Sequence, residues 1–302
     1  FTAAAIQPTA AVRPIEIPEV AVCLAGAARS LATVPVLRGL KRLVLQNPLY
    51  SASAFAALSY DTTSPQLLEY NATFTRWLSS PEVVKRALTH LKPELQSVIF
   101  FNTSTAISRF RSCRPSDTSL PSTDIPAMYG MQLVFSLVRR FEVKRGDEKF
   151  DFLLRVRPDH LFLQPLPQAL GLNVSKWKKD RLLTFGYEAD SFALMPSGPL
   201  AAVYFRSYTA ASSCLFRIFD GDEKLPPSFA PSLQCAKLEP WENLARCVVA
   251  SNLAYHGLPK LENAPRRPAL IARVCNLNRT TNEPSWPAWP MPIGETCVTT
   301  LD

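Results

Sequence analysis

The chain has 302 residues, 47% hydrophobic and 19% charged, which is enough to bury a full core and too apolar for a disordered tail. Its 33 Lys and Arg outnumber 25 Asp and Glu for a net charge of +8, a balance that favours anionic ligands; the basic residues fall in ones and twos, without zinc-finger spacing, an aromatic RNA-binding signature or a basic helix, so nucleic acid is not an expected partner. No stretch approaches the roughly 18 consecutive apolar residues of a spanning helix, so a soluble chain is expected, with membrane attachment left to an anchor upstream of Phe1.

Residues 1–18 are rich in Ala and Pro, lack periodicity and read as a stem or extended arm. Glu19 to Leu24 is a nearly all-apolar run that fits a strand buried on both faces, and it breaks at Ala25-Gly26-Ala27-Ala28-Arg29-Ser30. Val34, Leu37, Leu40, Val44 and Leu45 then recur at intervals of three and four, predicting a helix that stops before Asn47-Pro48. Ser53 to Leu58 is a second buried strand, ending at Tyr60-Asp61. Pro81 to Leu91 is a helix with proline in its first turn, and Ser97 to Phe101 a third strand. Ala127 to Phe141 carries an apolar helical face, and Phe152 to Arg157 is a fourth strand cut off by Pro158-Asp159-His160. Strands at Leu182–Phe185 and Asp190–Met195 and helices over Gly198–Tyr208 and Trp241–Tyr255 follow. Strands alternating with helices at this spacing imply crossover units and an α/β fold with a mostly parallel central sheet.

Seven cysteines occur, five of them in the last third, and none forms a CxxC pair near a histidine, so zinc is not indicated. Cys23 lies inside the first apolar run and reads as a free buried thiol. The other six, Cys113, Cys214, Cys235, Cys247, Cys275 and Cys297, suit three disulfides of unspecified pairing that would hold the irregular Pro-rich C-terminal region. Sequons at Asn71, Asn102, Asn173 and Asn278 are candidate N-glycosylation sites. Cysteines and sequons agree on the secretory pathway (Golgi or ER lumen, or secreted); a cytosolic chain with reduced thiols is the alternative.

Three constellations bear on chemistry. The strand, loop and helix of Val20 to Leu37 brings backbone N–H groups to a helix start, where a phosphate would bind, although a single glycine, Gly26, satisfies neither the P-loop nor the dinucleotide pattern and an ordinary tight turn accounts for it as well. In Arg155-Val156-Arg157-Pro158-Asp159-His160, alternation puts Arg155 and Arg157 on one side of the sheet and Asp159 beyond its carboxyl end, where ligands of open α/β sheets collect. Two arginines in an apolar run need a carboxylate or phosphate partner, so the choice lies between a buried structural ion pair and an anion site. Asp159 and His160 are both capable metal ligands, suited to Mn²⁺ or Mg²⁺ bridging a diphosphate. Glu242, after Pro240-Trp241, is either a helix-dipole cap or a carboxylate that takes a proton from an attacking hydroxyl. No GxSxG motif supports a hydrolase.

In order along the chain, Ala21 to Ser30, Ala54 to Asp61, the Tyr129 to Glu142 helix with Gln132, the Asp151 to Leu163 strand with its Arg-x-Arg-Pro-Asp core, Asp190 to Ala193 and Glu242 to Leu244 resemble nucleotide-sugar glycosyltransferases of the GT-A type. The resemblance implies a Rossmann-like catalytic domain over residues 19–257, followed by a Pro- and Cys-rich extension over 258–302 packed on it. It implies a nucleotide diphospho-sugar donor held by Gly26, Arg29, Ser30, Asp61, Arg155, Arg157 and Asp159, a metal at Asp159 with His160, and Asp190 or Glu242 facing a glycan or glycoprotein acceptor as the catalytic carboxylate. The sequence departs from the family's Asp-x-Asp metal motif, because the residue two after Asp159 is Leu161. The expected function is transfer of a sugar to a hydroxyl of a glycan or protein; the alternative is a non-catalytic relative acting as a structural or binding subunit.

Overall fold

The computed structural model describes residues 17–60, 80–109, 124–177, 182–184, 192–212, 253, 257–258, 261–263, 270–274, 276–277, 284–285 and 295–298. In chain order the first elements are β1 (Glu19–Ala27), α1 (Val34–Gly39) running into a π-helical turn (Leu40–Leu45), β2 (Ser51–Ser59), α2 (Pro81–Leu88) with a 3₁₀ turn (Thr89–Leu91), β3 (Leu95–Phe101) and α3 (Thr103–Arg109). They are followed by α4 (Asp124–Lys144), β4 (Phe152–Val156), β5 (His160–Leu161), α5 (Leu166–Leu170), β6 (Leu182–Thr184), β7 (Phe192–Pro196), α6 (Pro199–Phe205) and α7 (Ser207–Ser212). Five short strands close the chain: β8 (Leu261–Asn263), β9 (Leu270–Val274), β10 (Asn276–Leu277), β11 (Pro284–Ser285) and β12 (Glu295–Val298).

The main sheet has seven strands in the order β3-β2-β1-β4-β7-β6-β8. β3, β2, β1 and β4 are mutually parallel, β7 is antiparallel to both β4 and β6, and β8 runs parallel to β6. This is a Rossmann-like α/β arrangement, extended at one edge by antiparallel strands. The expectation of a mostly parallel sheet describes the first four strands; the reversal at β7 has no signature in a run as short as Phe192–Pro196, because apolar content alone carries no direction.

Residue alternation along β1 explains the layering. Val20, Val22 and Leu24 enter one core with Val36, Leu40 and Val44 of the first helix, Val84 and Leu88 of α2, and Leu166 and Leu170 of α5. Ala21, Cys23 and Ala25 enter a second core with Met131, Val134 and Val138 of α4 and with Leu200, Ala201 and Tyr204 of α6. Helices thus cover both faces of the sheet, and β1, β2 and β4 are buried on each side along most of their length, as their largely apolar sequences require.

Several expected elements differ in detail. The helix expected from Val34 to Leu45 widens into a π turn at Leu40, one residue after Gly39, where an added Cβ would stand 2.8 Å from the carbonyl oxygen of Phe162. Only glycine lets the helix approach the segment behind β5 that closely. The helix expected over Gly198–Tyr208 is two helices, α6 and α7. The main sheet takes its seventh strand from β8, beyond residue 257, and β5 joins β9 and β12 in a separate three-stranded sheet. The helix expected over Trp241–Tyr255 lies outside the described residues, apart from Leu253, as do residues 1–16.

The amino end of β1 and the carboxyl end of α4 are tied together. Glu142, fully buried, accepts from the backbone N–H of Phe150 at 3.2 Å and is ion-paired with Arg139 and with Lys149 at 3.6 Å. Arg145 pairs with Glu19, whose own backbone N–H donates to Asp151 Oδ2 at 3.0 Å.

Candidate functional site

The strand order reverses between β1 and β4, so the loops leaving their carboxyl ends diverge and open a crevice there, the usual ligand position in open α/β sheets. The loop after β1 supplies Gly26, Arg29 and Ser30; the turn after β4 supplies Arg157, Pro158 and Asp159. The structure brings these two segments together. Gly26 has φ +128°, a conformation that side-chain-bearing residues rarely adopt, and a Cβ there would lie 3.5 Å from Pro158 Cδ and 4.0 Å from Arg155 Nη2. On the other side of the loop Gly130 of α4 sits so close that its added Cβ would be 3.4 Å from the Gly26 nitrogen. Gly26 is thus needed for its backbone angle, whereas at Gly130 the tight neighbour is the Phe101 ring, 3.1 Å from an added Cβ.

The loop itself is locally closed. Leu31 N–H donates to the Ala28 carbonyl at 2.8 Å, Ala28 N–H to the Ser59 carbonyl of β2 at 3.2 Å, and the Thr33 hydroxyl to the Ser30 carbonyl at 2.7 Å. Ser30 is fully buried.

Asp159 is the hub. Arg157 Nε donates to its Oδ1 and Arg157 Nη2 to its Oδ2, both at 2.8 Å, a two-point fork, and Arg29 Nη1 lies 3.7 Å from Oδ2. The Asp159 side chain is 1% exposed, whereas those of Arg157 and Arg29 are 22% and 14% exposed; the carboxylate is interior, and Nε and Nη1 of Arg29 are buried with it. Arg155, on the α4 side of the sheet beside Cys23, is buried and donates to the Val156 carbonyl. Of the two roles open to the Arg-x-Arg-Pro-Asp strand, the ion pair is present: Arg157 and Asp159 neutralise each other across the turn.

That arrangement bears on the expected metal. Both Asp159 oxygens are engaged by Arg157; His160 is buried, pairs through its backbone with β9, and its ring stands 6.1 Å edge-on from Phe162. Among the described residues no three His, Cys, Asp or Glu side chains come together as a cation site. The Asp159 and His160 pair therefore does not fit Mn²⁺ or Mg²⁺ as the sequence suggested. Asp61, Asp190 and Glu242 lie outside the described residues, as do Asn71, Asn278, Cys113, Cys214, Cys235, Cys247 and Cys275. Cys297 lies in β12. Cys23 is a free, buried thiol as expected; burial pushes its pKa far up, Arg155 pulls it partly back and Glu142 adds a small further rise. Asn173 is exposed, while Asn102 is half-buried at the head of α3, its side-chain oxygen accepting from Ser104 N–H at 2.8 Å and Ser104 hydroxyl at 2.7 Å.

Beside the crevice stands a cluster of which the sequence had pointed only to the Tyr129 to Glu142 helix with Gln132. Tyr129, next to Gly130, meets Phe101 of β3 and Tyr208 of α7 edge-on at 5.5 and 4.9 Å, and its hydroxyl accepts from Arg109 at 3.1 Å. Gln132 Oε1 accepts from the Thr209 N–H at 3.1 Å and hydroxyl at 2.6 Å. Burial raises the Tyr208 pKa, Tyr129 adds to the rise and Arg109 opposes it. Four elements build this cluster, so no single stretch of sequence announces it. No protein-family model matches the chain, and no curated protein sequence matches it.

Proposed function

We propose that the chain is a glycosyltransferase of the GT-A type, acting in the secretory pathway on a nucleotide diphospho-sugar donor and a glycan or protein hydroxyl. The observation that carries this reading is the convergence of Gly26, Arg29, Arg157 and Asp159 on the crevice between β1 and β4. A diphosphate there would meet the partly exposed side chains of Arg157 and Arg29, and guanidinium groups bind phosphate oxygens in pairs. Asp159 acts on this reading as a positioning residue: it fixes both arginines from beneath and leaves charge compensation to them. In the transfer step the acceptor oxygen attacks the anomeric carbon, the bond from that carbon to the diphosphate oxygen breaks, and the acceptor proton passes to Asp190 or Glu242, while the nucleoside diphosphate leaves with its charge held by Arg29 and Arg157.

The fork between Arg157 and Asp159 also favours a second reading, a non-catalytic descendant in which the strand keeps its ion pair for stability. A thermal-shift screen of nucleotide diphospho-sugars, with and without Mn²⁺, separates the two, since a specific ligand stabilises only the state that binds it. A donor that raises the melting temperature and is turned over on an acceptor supports the enzyme; binding without transfer to any acceptor hydroxyl supports the binding subunit. If no nucleotide diphospho-sugar shifts the melt under either condition, the enzyme reading falls and the non-catalytic one, with the ion pair kept for stability, is favoured.

A further inference from the structure

A groove of about 440 Å³ runs between the first helix and α2, and its lining begins at Ala32, two residues beyond Ser30 of the crevice loop. Its floor is apolar, built from Leu37, Val83 and Ala87, and Val34 stands at its rim with 49% of its surface exposed. Five basic side chains ring it: Arg38, Lys41 and Arg42 from one helix, Arg86 and His90 from the other, with no Asp or Glu in the lining. None of the five is ion-paired among the described residues; the Lys41 ammonium donates to the Lys92 carbonyl at 3.5 Å.

The spacing makes this costly for the free protein. Arg38 and Arg42 are four residues apart on one helix, and like charges at that spacing destabilise a helix. The same stretch contains the π turn, a departure from regular helix often found at functional positions, and it carries both Lys41 and Arg42. A solvated charged face would scatter both signs; here one sign is gathered around an apolar floor.

We propose that this groove binds a single-chain amphiphile with an anionic head, the chain lying along Leu37, Val83 and Ala87 and the carboxylate or phosphate held by the arginines. The basic ring fixes the sign of the head group, and the apolar floor excludes a bare inorganic anion as the intended occupant. The volume is that of a small-molecule site, and the groove is concave between two helices, whereas docking to a membrane surface calls for a protruding apolar face. This inference is independent of the donor site, with which the groove shares no residue.

The test titrates the full chain with dodecanoate and with dodecyl phosphate below their micellar concentrations, against the neutral decyl maltoside, by calorimetry and thermal shift. One equivalent of an anionic amphiphile should bind and the neutral one should not. Arg42→Gln/Arg86→Gln removes one arginine from each helix; it should fold as the parent does and bind at least about tenfold more weakly, the loss of a charge-assisted hydrogen bond. Ala87→Met keeps every charge, narrows the floor and should weaken binding as well. Equal binding of the neutral amphiphile, unchanged binding in both variants, inorganic phosphate binding as tightly as dodecyl phosphate, or retention on anionic vesicles without binding of the monomeric amphiphiles would each overturn the proposal.

Discussion

Replacing Asp159 by Ala removes the carboxylate that holds two arginines, and the size of the effect follows from exposure. Removing one partner of a fully buried ion pair costs about 3–5 kcal/mol, while an exposed pair contributes at most about 1 kcal/mol. The Asp159 carboxylate is 1% exposed but its partners Arg157 and Arg29 are 22% and 14% exposed, so water can partly solvate the stranded guanidinium groups. The expected cost lies between those limits, about 2–3 kcal/mol. In a domain of this size that corresponds to a melting temperature lower by about 4–8 °C. Circular dichroism melts of Asp159→Ala, Arg157→Ala and the double variant would measure it: the double variant should lose less than the sum, because the arginine that most needs the carboxylate is gone as well. Asp159→Ala should also weaken donor binding, through misplaced Arg157 and Arg29. An Asp159→Ala protein melting within about 1 °C of the parent would refute the hub role, since that is the range of a surface substitution. Strong destabilisation with donor affinity unchanged would leave the ion pair standing and remove the donor site.

Three further outcomes are expected. Cys23 should resist iodoacetamide in the native protein and react once unfolded, by peptide mapping; because the folded thiol holds its proton more tightly than the unfolded one, its contribution to stability is whole below about pH 8.5 and declines by about 1.4 kcal/mol per pH unit above it, so the stability difference between the parent and Cys23→Ala should shrink or change sign as pH rises from 7.5 to 10. Gly39→Ala places a methyl group 2.8 Å from the Phe162 carbonyl oxygen and should destabilise by about 1–3 kcal/mol in denaturant titrations. Asn173, exposed before its 3₁₀ turn, should carry an N-glycan when the chain is made in a secretory host, and Asn173→Gln should lose one glycan's worth of mass.

The parts of the fold legible in the sequence are those set by local pattern. β1, β2 and β4 are largely apolar runs, which suit burial on both faces. The crevice residues were legible for a related reason: Pro158 ends β4, and the small residues after Leu24 end β1, so both polar clusters had to fall at the carboxyl edge. The ion pair of Asp159 was legible as one of two roles, but its two-point form was not, because it depends on the turn closed by the His160 N–H on the Arg157 carbonyl at 3.2 Å, a geometry that a list of residues does not contain. The direction of β7, the break between Phe205 and Ser207, and the Tyr129 cluster depend on tertiary neighbours. So does the basic groove, whose charges come from two helices far apart in sequence.

The ties at the far end of α4 give that helix the mechanics of a lever. Glu142 and Arg145 fasten it to β1 and to the Phe150 strand entry, whereas twelve residues earlier Gly130 touches the Gly26 loop by van der Waals contact and the neighbouring Tyr129 and Gln132 are hydrogen-bonded to the short helices α3 and α7. Twelve residues of helix span about 18 Å, so a tilt of about 5° about the fastened end would displace Gly130 by roughly 1.5 Å. Motion of that kind would be smallest at the amino edge of the sheet and largest at the crevice, and it would carry Tyr129 and Gln132 with it while leaving the Arg157 and Asp159 turn, which rides on β4, in place.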